Sequence, residues 1–204
     1  MTHSRSGARS GDGLYAVVLA AGPARRFGSA KQLARVAGQP LLYTAVARAY
    51  EVTGNALVVV LGAEAAKLAP LLAHFPGSVI VNHEWREGLA SSIRAGVARL
   101  PPGCNGVLLL LADQAAVTAD DLGRLAGTWR RQPQYIAAAL YAGTLGAPAI
   151  FPRSMFRELT ELRGDAGARR LLRGKPELVV SVPMPNAAID VDTPEDLLAL
   201  EAPK

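Results

Sequence analysis

Apolar residues in this chain alternate between short continuous runs and repeats at helical spacing. Continuous runs bounded by Gly, Pro or polar residues predict buried strands, and repeats at intervals of three and four residues predict helices. The predicted strands begin at 14 and span 56–61, 79–81, 106–112, 135–141 and 177–182. The predicted helices cover 40–51, 64–73, 120–131 and 154–162, with others beginning near 90, 165 and 193. Strands that alternate with helices predict a parallel sheet with helices on both faces.

The stretch from Leu14 to Lys31 combines a strand with a loop of small and basic residues. Small residues let the backbone approach a ligand closely, and free N–H groups in such a turn can hold an anion. Arg26 and Lys31 add fixed positive charges beside the turn, which suits a nucleoside triphosphate. The spacing matches neither a P-loop nor a dinucleotide fingerprint. An ordinary strand followed by a flexible loop and a solvated basic patch remains the alternative.

A second apolar strand ends in a carboxylate. The run 106–112 leads without a charged residue into Asp113. Sites in open α/β sheets lie at the carboxyl ends of strands, so Asp113 is expected to face the same edge as the loop after the first strand. A carboxylate there suits the Mg²⁺ that a triphosphate requires, and a turn former or helix cap is the alternative.

Two further segments carry polar residues next to predicted helix starts. Ser91 and Ser92 fall in a first helical turn, where hydroxyls can face a ligand or cap the helix. Asp165 is expected to cap the helix that runs through 172, with Arg169 exposed, and direct contact of this run with a ligand is the alternative. Near the end of the sequence, Asp190 and Asp192 flank a single apolar residue before a Thr-Pro helix start, and a capped helix alone explains this pair less well.

Composition narrows the class of protein. The 204 residues are 50% hydrophobic and 19% charged, as in globular domains, and no apolar run approaches the roughly 18 residues of a membrane helix. The polar stretch 1–13 predicts a disordered tail before a single domain at 14–204. Cys104 is the only cysteine, which excludes an internal disulfide and, without a secretory signal, favours the cytoplasm. Polyphosphate binding explains the net charge of +5, and no nucleic-acid motif or membrane segment is expected.

A set of motifs runs through almost the whole chain in a fixed order. The motifs are Leu-Ala-Ala-Gly at 19–22 followed by Arg26, Gly28 and Lys31, an Asn, Gly and paired-Ser run at 82–92, Asp113-Gln114, Gly146 with Pro148, the run at 164–169, and Asp-x-Asp-Thr-Pro at 190–194. Together they resemble the nucleotidyltransferases of the molybdenum-cofactor type, which include molybdenum cofactor cytidylyltransferase and its guanylyltransferase relative. The resemblance implies a three-layer α/β/α, Rossmann-like fold with a mostly parallel sheet, of the nucleotide-diphospho-sugar transferase type.

The resemblance also implies roles for individual residues. The nucleotide-binding residues that it implies are Leu19, Ala20, Ala21, Gly22, Arg26, Lys31, Asn82, Gly88, Ser91 and Ser92. Arg26, Lys31 and Asp113 are implied to be catalytic. Asp113 and Asp192 are implied to hold Mg²⁺, with Asp190 as the alternative to Asp192. In this family the loop at 19–31 wraps the phosphates, and the segment 82–92 recognises the base and ribose.

The implied reaction is transfer of a nucleotidyl group from a nucleoside triphosphate to a phosphate-bearing acceptor, with release of pyrophosphate. The Leu-Ala-Ala-Gly form favours CTP over GTP, which makes the molybdenum cofactor (molybdopterin) the first choice of acceptor. A molybdoenzyme that receives the product is a further implied partner. The alternatives are a sugar or polyol phosphate as acceptor, a protein that binds and delivers molybdenum cofactor without turnover, and a nucleotide-dependent oxidoreductase, which the missing dinucleotide fingerprint disfavours.

Overall fold

The centre of the structure is a seven-stranded sheet. The computed structural model describes residues 12–23, 27, 30–165, 167–191 and 193–201. The strands are β1 Leu14–Ala20, β2 Arg35–Val36, β3 Gln39–Pro40, β4 Leu57–Leu61, β5 Ser78–Val81, β6 Gly106–Leu111, β7 Ile136–Tyr141, β8 Thr144–Pro152 and β9 Val179–Pro183. β2 and β3 form a separate hairpin, and the other strands form the sheet in the order β5-β4-β1-β6-β8-β7-β9.

The direction in which strands are added reverses at β1. The chain proceeds outward from β1 to β4 and β5 on one side and then returns to place β6 on the other side, with β4 and β6 both parallel to β1. β8 runs antiparallel to β6 and β7, because a short turn at Ala142-Gly143 joins it to β7. In open α/β sheets, ligands bind beyond the carboxyl ends of the strands at such a reversal. The topology therefore points to the edge where β1 and β6 end.

Helices cover both faces of the sheet. They are α1 Leu41–Thr53, α2 Ala65–Leu68, α3 Leu89–Val97, α4 Ala119–Arg131, α5 Phe156–Glu161, α6 Arg169–Gly174 and α7 Pro194–Glu201. α1 and α4 pack on one face, α3, α5 and α6 pack on the other, and each face has its own apolar core. In α4, Thr118 and Asp121 form a capping box, while Leu122, Leu125 and Trp129 form the apolar stripe that packs on the sheet.

The predicted fold class is confirmed, because the sheet is mostly parallel and lies between two helical layers. Two local predictions are wrong. The helix predicted at 64–73 is divided, since α2 ends at Leu68 and a 3₁₀ turn follows, where Pro70 has no N–H to donate. Asp165 does not cap α6, because the positive φ of Gly167 turns the chain before that helix begins.

Asp12 and Gly13 are the first described residues of the chain and lie directly before β1. Residues 1–11 lie outside the described part of the chain, so the division into a tail at 1–13 and a domain at 14–204 stays a prediction. Asp12 and Gly13 contact the sheet, since Asp12 Oδ1 accepts a hydrogen bond from Leu14 N at 3.0 Å and Gly13 O accepts one from Asn105 N at 2.8 Å. Of the helices in the described residues, none has the length and apolar character needed to cross a membrane. The cytoplasmic location stays a prediction.

Candidate functional site

A cavity of about 450 Å³ lies at the carboxyl edge of β1 and β6, where the order of strands reverses. Its walls come from the loop after β1, the end of β6 and the N-terminal end of α3. The predicted site residues that line it are Leu19, Ala20, Ala21, Gly22, Lys31, Gly88, Ser92 and Asp113. Segments that are far apart in the sequence therefore meet in one cavity, as the motifs predicted.

The loop after β1 is held by a buried amide. Gln32 is only 4% exposed, and its Nε2 donates hydrogen bonds to Ala20 O at 3.3 Å and Gly22 O at 3.0 Å. From the loop after β4, Ala63 N donates to Ala21 O at 3.1 Å. Three successive carbonyl groups are thus engaged by the protein, which fixes the path of the backbone along the cavity wall.

Asp113, just beyond the end of β6, forms an ion pair with Lys31. Lys31 Nζ lies 2.7 Å from Asp113 Oδ2, and the two side chains retain 16% and 26% of their exposure. The other carboxylate oxygen, Oδ1, is buried and has no hydrogen-bond partner. The backbone of the same residue is anchored, because Val191 N donates to Asp113 O at 3.1 Å. Arg26 and Asp192, which are predicted to act with this pair, lie outside the described residues.

Asn82, Ser91 and Ser92 form a buried cluster behind the cavity wall. Asn82 Nδ2 donates to Ser91 Oγ at 2.8 Å and to Ser92 Oγ at 3.1 Å, and Ser91 Oγ donates to Gly88 O at 2.9 Å. All three side chains are almost fully buried, and of the three only Ser92 lines the cavity. The cluster fixes the first turn of α3 against the end of β5, and its contact with a nucleotide stays a prediction.

Arg94 ties together two segments that flank the cavity. Its Nη1 donates to Glu87 Oε1 at 2.7 Å and to Leu162 O at 2.8 Å, and its Nη2 reaches Glu84 Oε2 at 3.5 Å. The hydrogen bonds from Arg94 hold the pKa of the Glu87 carboxyl below its ordinary value. Arg94 therefore fastens both the segment before α3 and the segment after α5 to one helix.

Gly88 occupies the point where these two segments touch. Its φ of 117° lies in the region that favours glycine. A Cβ at this position would collide with Asp165 Oδ1 and would lie 2.7 Å from Gly164 O. Ala90 N donates to the same Gly164 oxygen at 3.0 Å, so the two segments are hydrogen-bonded as well as packed. The close approach of backbone to backbone explains why this position carries glycine.

Sequence reasoning missed several residues of the site. Gln32, Trp85, Arg86 and Asp165 also line the cavity, and the Arg86 guanidinium lies 4.5 Å from the centroid of the Trp85 ring. Sequence position could have indicated three of these residues. Gln32 directly follows Lys31, and Trp85 and Arg86 lie shortly before Gly88. Asp165 reaches the cavity through its contact with α3, which local sequence does not reveal.

The cavity offers a carboxylate oxygen of the kind that a hard divalent cation requires. Within the described ranges, no three His, Cys, Asp or Glu side chains come together as a metal-binding group. Mg²⁺ is commonly held by one or two carboxylates together with substrate phosphates, and needs no complete protein cage. The buried, unpaired Oδ1 of Asp113 fits one position in such a shell. The residues therefore suit a cation that is shared with a polyphosphate.

A cavity at the strand reversal, walled by a small-residue loop and with Lys31 beside the carboxylate of Asp113, is typical of the α/β proteins that bind nucleotides. The chain belongs to the family of proteins with a MobA-like NTP transferase domain, whose model matches residues 16–180. This confirms the family that the sequence motifs predicted.

The chain resembles known proteins over most of its length. It is 32% identical over 196 residues to nicotine blue oxidoreductase of Paenarthrobacter nicotinovorans, covering 90% of this chain and 94% of that protein. It is 29% identical over 194 residues to the purine catabolism protein PucB of Bacillus subtilis, covering 90% and 93%. The crystal structure of Rv0371c from Mycobacterium tuberculosis in complex with manganese superposes with a TM-score of 0.74 at 28% identity, covering 92% of this chain and 97% of that one.

Proposed function

We propose that this protein transfers CMP from CTP to a phosphate-bearing acceptor, with molybdenum cofactor as the first choice. An oxygen of the acceptor phosphate forms a bond to the α-phosphorus of CTP, and the bond from that phosphorus to the α–β bridging oxygen breaks. The bridging electron pair leaves with pyrophosphate. The observation that carries the proposal is the Lys31–Asp113 pair in the cavity, which combines a cation with an unpaired carboxylate oxygen. A sugar or polyol phosphate as acceptor would use the same chemistry.

The charges of these residues suit the reaction. Attack on the α-phosphate builds negative charge on the attacking, bridging and leaving oxygens. Lys31 neutralises the leaving pyrophosphate, with Arg26 as its partner from the sequence motif. Asp113 and Asp192 would hold Mg²⁺, which when bound orients the phosphates and stabilises their charge. The manganese bound to the Mycobacterium tuberculosis relative supports a divalent cation in the reaction.

Pyrophosphate release with four nucleotides tests the proposal. CTP, GTP, ATP and UTP are each combined with molybdenum cofactor and with sugar phosphates, in Mg²⁺ and in EDTA. The expected result is fastest release with CTP and molybdenum cofactor, and no release in EDTA. Binding of molybdenum cofactor without turnover of any nucleotide would support a delivery protein, and release only with sugar phosphates would reassign the acceptor.

A second candidate function is a nucleotide-dependent oxidoreductase. It is favoured by the relative named nicotine blue oxidoreductase, which matches almost the full chain. The loop after β1 opposes it, because Gly22 and Gly28 lack the spacing of the dinucleotide fingerprint. Oxidation of NADPH or NADH by a quinone-type acceptor, followed in the absence of any nucleoside triphosphate, distinguishes the two. Steady oxidation together with no pyrophosphate release in the first assay would favour the oxidoreductase.

Replacing Lys31 with alanine is expected to weaken triphosphate binding by roughly 10- to 150-fold, because a charge-assisted contact contributes about 1.5–3 kcal/mol. Calorimetry with a non-hydrolysable CTP analogue measures the change. Lys67→Ala is the matched control, since Lys67 is exposed on α2 and pairs with Glu64 away from the cavity. Unchanged affinity in Lys31→Ala, and in Arg26→Ala beside it, would move the phosphate site elsewhere.

Replacing Ala21 with glycine is expected to relax the preference for CTP towards GTP by about tenfold in the ratio of kcat/KM. Ala21 is buried against the loop after β4, where a Cβ added to Gly62 would lie 2.7 Å from the Ala21 methyl. We assign the base and ribose to the Ala20–Ala21 backbone, at the start of the phosphate loop, together with the turn at 88–92. Removing the Ala21 methyl loosens that wall. The ratio is measured for the native protein, for Ala21→Gly and for the exposed control Ala73→Gly. Equal use of both nucleotides by the native protein would refute the cytidylyl assignment.

A further inference from the structure

β5 is an edge strand of the sheet, and its outer side is open. It pairs with β4 on one side, and no strand of the described chain pairs with the other side. In a parallel ladder, alternate residues of a strand turn their backbone groups towards the same neighbour. Asn82 N donates to Leu61 O, so this alternation directs the N–H and C=O groups of Val79 and Val81 away from β4. The edge therefore offers a row of backbone donors and acceptors to a further strand.

The side chains of the same two valines are exposed to solvent. Val79 is aligned with Val59 and Val81 with Leu61, and the side chains of Val59 and Leu61 belong to the apolar core on the α1 side of the sheet. Ile80 packs against the core on the α3 side instead. Val79 and Val81 nevertheless keep 40% and 44% of their exposure. Two exposed apolar side chains thus lie on one face of the sheet, directly beside the open backbone groups.

A group of aromatic side chains lies on the same face, just before β5. The ring centroid of Phe75 is 5.0 Å from that of Tyr43 and 6.4 Å from that of Tyr50, and both contacts are edge-on. Phe75 packs against the core on the α1 side, while the two tyrosines, on α1, remain exposed. Exposed large apolar side chains of the described residues are therefore concentrated near this edge of the sheet, as at a protein–protein contact.

The opposite edge of the sheet, formed by β9, is built differently. Met184 N donates to Leu140 O, so the residues of β9 whose backbone groups face outward are Val179, Ser181 and Pro183. Pro183 has no N–H to donate, and proline at an outward position of an edge strand opposes pairing with a further strand. β5 contains neither a proline nor a charged residue. One edge of the sheet is thus protected against strand addition, and the other is not.

We propose that β5 is a self-association edge, at which two copies of this chain pair antiparallel about a two-fold axis through Ile80. In this register Val79 lies opposite Val81 of the partner subunit, and the two residues exchange both of their backbone hydrogen bonds. Symmetry repeats the same pair on the other side of the axis, so every outward-facing backbone group of the strand is used. The two seven-stranded sheets become one continuous sheet, and the valine side chains pack in pairs across the seam on the α1 face.

Self-complementarity favours a second copy over an unrelated strand as the occupant of this edge. Residues 76–82 carry no charge, so the two-fold pairing brings no like charges together. It also uses no residue that lines the cavity, so the inference does not depend on the proposed function. A seam of four residues a side is smaller than the interfaces of about 1,200–2,000 Å² that stable complexes form. The expected dimer is therefore reversible, with a dissociation constant on the order of 10–100 μM.

Hydrogen exchange of the native protein tests the pairing without any substitution. The full chain is labelled at about 1 μM and at about 500 μM, and residue-resolved mass spectrometry follows the amides of β5. The amides of Val79 and Val81 are expected to exchange about three- to tenfold more slowly at the higher concentration, because they are bonded only in the dimer. The amide of Ile80 faces β4 and serves as the internal control, since its exchange should not depend on concentration.

Sedimentation equilibrium of charged variants tests the register of the pairing. Val79→Lys and Val81→Glu are each expected to raise the dissociation constant of the dimer by at least about tenfold, because each places a charge against a valine of the partner subunit. Mixing the two variants should restore association, since the new lysine then faces the new glutamate across the seam. Ile189→Lys is the matched control, because Ile189 is 39% exposed and lies away from β5. Thermal unfolding confirms that each variant is folded.

Three results would each overturn the self-association edge. The first is a native protein that stays monomeric up to about 500 μM, which would leave the edge to a strand of a different partner. The second is exchange of the Val79 and Val81 amides at the same rate at both concentrations. The third is a dimer with equal dissociation constants in Val79→Lys and Ile189→Lys, which would place the contact on another surface. The exchange measurement needs only the native chain, so it decides the matter even where a variant fails to fold.

Discussion

Substituting asparagine for Asp113 is expected to lower the rate of pyrophosphate release by at least about a hundredfold. The amide keeps the shape of the side chain but removes the negative charge, which pairs with Lys31 at 2.7 Å and would ligate the cation. The buried Oδ1 makes no hydrogen bond within the protein, so no contact is broken there. The two side chains are only 16% and 26% exposed, so removing the charge of Asp113 is also expected to cost some stability. The loss of activity is expected in protein that is still folded.

The measurement is the initial rate of pyrophosphate release in Mg²⁺, with folding checked by circular dichroism. Asp120→Asn is the matched control, because this substitution replaces a carboxylate with an amide at a position away from the cavity. Asp120 is exposed in the first turn of α4. Asp192→Asn tests the second predicted ligand in the same assay. Near-native rates in both Asp113→Asn and Asp192→Asn would show that the metal assignment is wrong.

Replacing Gly88 with alanine is expected to destabilise the protein by about 2–5 kcal/mol and to abolish binding of the nucleotide. At a φ of 117° any side chain strains the backbone, and the new Cβ would also collide with Asp165 and crowd Gly164. Relief of that collision requires the segment after α5 to move away from α3. Asp165 lines the cavity, so the movement would disturb the site as well as the fold.

Thermal unfolding and calorimetry with the CTP analogue measure the two effects of Gly88→Ala. The contrasting variant is Gly123→Ala, because a Cβ at Gly123 meets nothing within 4 Å and the residue lies inside α4. Alanine there is expected to raise the stability by about 0.5–1 kcal/mol, as is usual for glycine inside a helix. A Gly88→Ala protein with native melting temperature and native affinity would contradict the assigned role of the contact.

The elements that the sequence predicted well are those whose burial produces a regular pattern of apolar residues. Every residue of β4 is buried, and β6 is almost as completely buried, so each appears as a continuous apolar run. The position of Asp113 followed from the same regularity, because a carboxylate that ends such a run must lie at the edge of the sheet. The cavity confirms that it meets the loop carrying Lys31.

Contacts between segments that are distant in the sequence could not be predicted, because they produce no regular pattern of residues. Arg94 binds the carbonyl of Leu162, and Gly88 packs on Asp165, yet neither pair has a spacing that a pattern could reveal. The cluster around Asn82 is similar, since a paired-Ser run predicts a ligand contact and a buried structural network equally well. Only the structure shows whether such polar side chains bond to each other or face a ligand.

The segment that follows β9 supports Asp113, because Val191 N donates a hydrogen bond to its carbonyl oxygen. Val191 is fully buried against Leu41 and Ala115, so this segment holds the backbone of Asp113, the proposed metal ligand, in place. The region matched by the family model stops at 180, inside β9 and before this brace. A fragment cut to the matched region would lack both the end of the edge strand and the support behind the carboxylate. In this chain, the segment that supports Asp113 thus extends beyond the region that the family model matches.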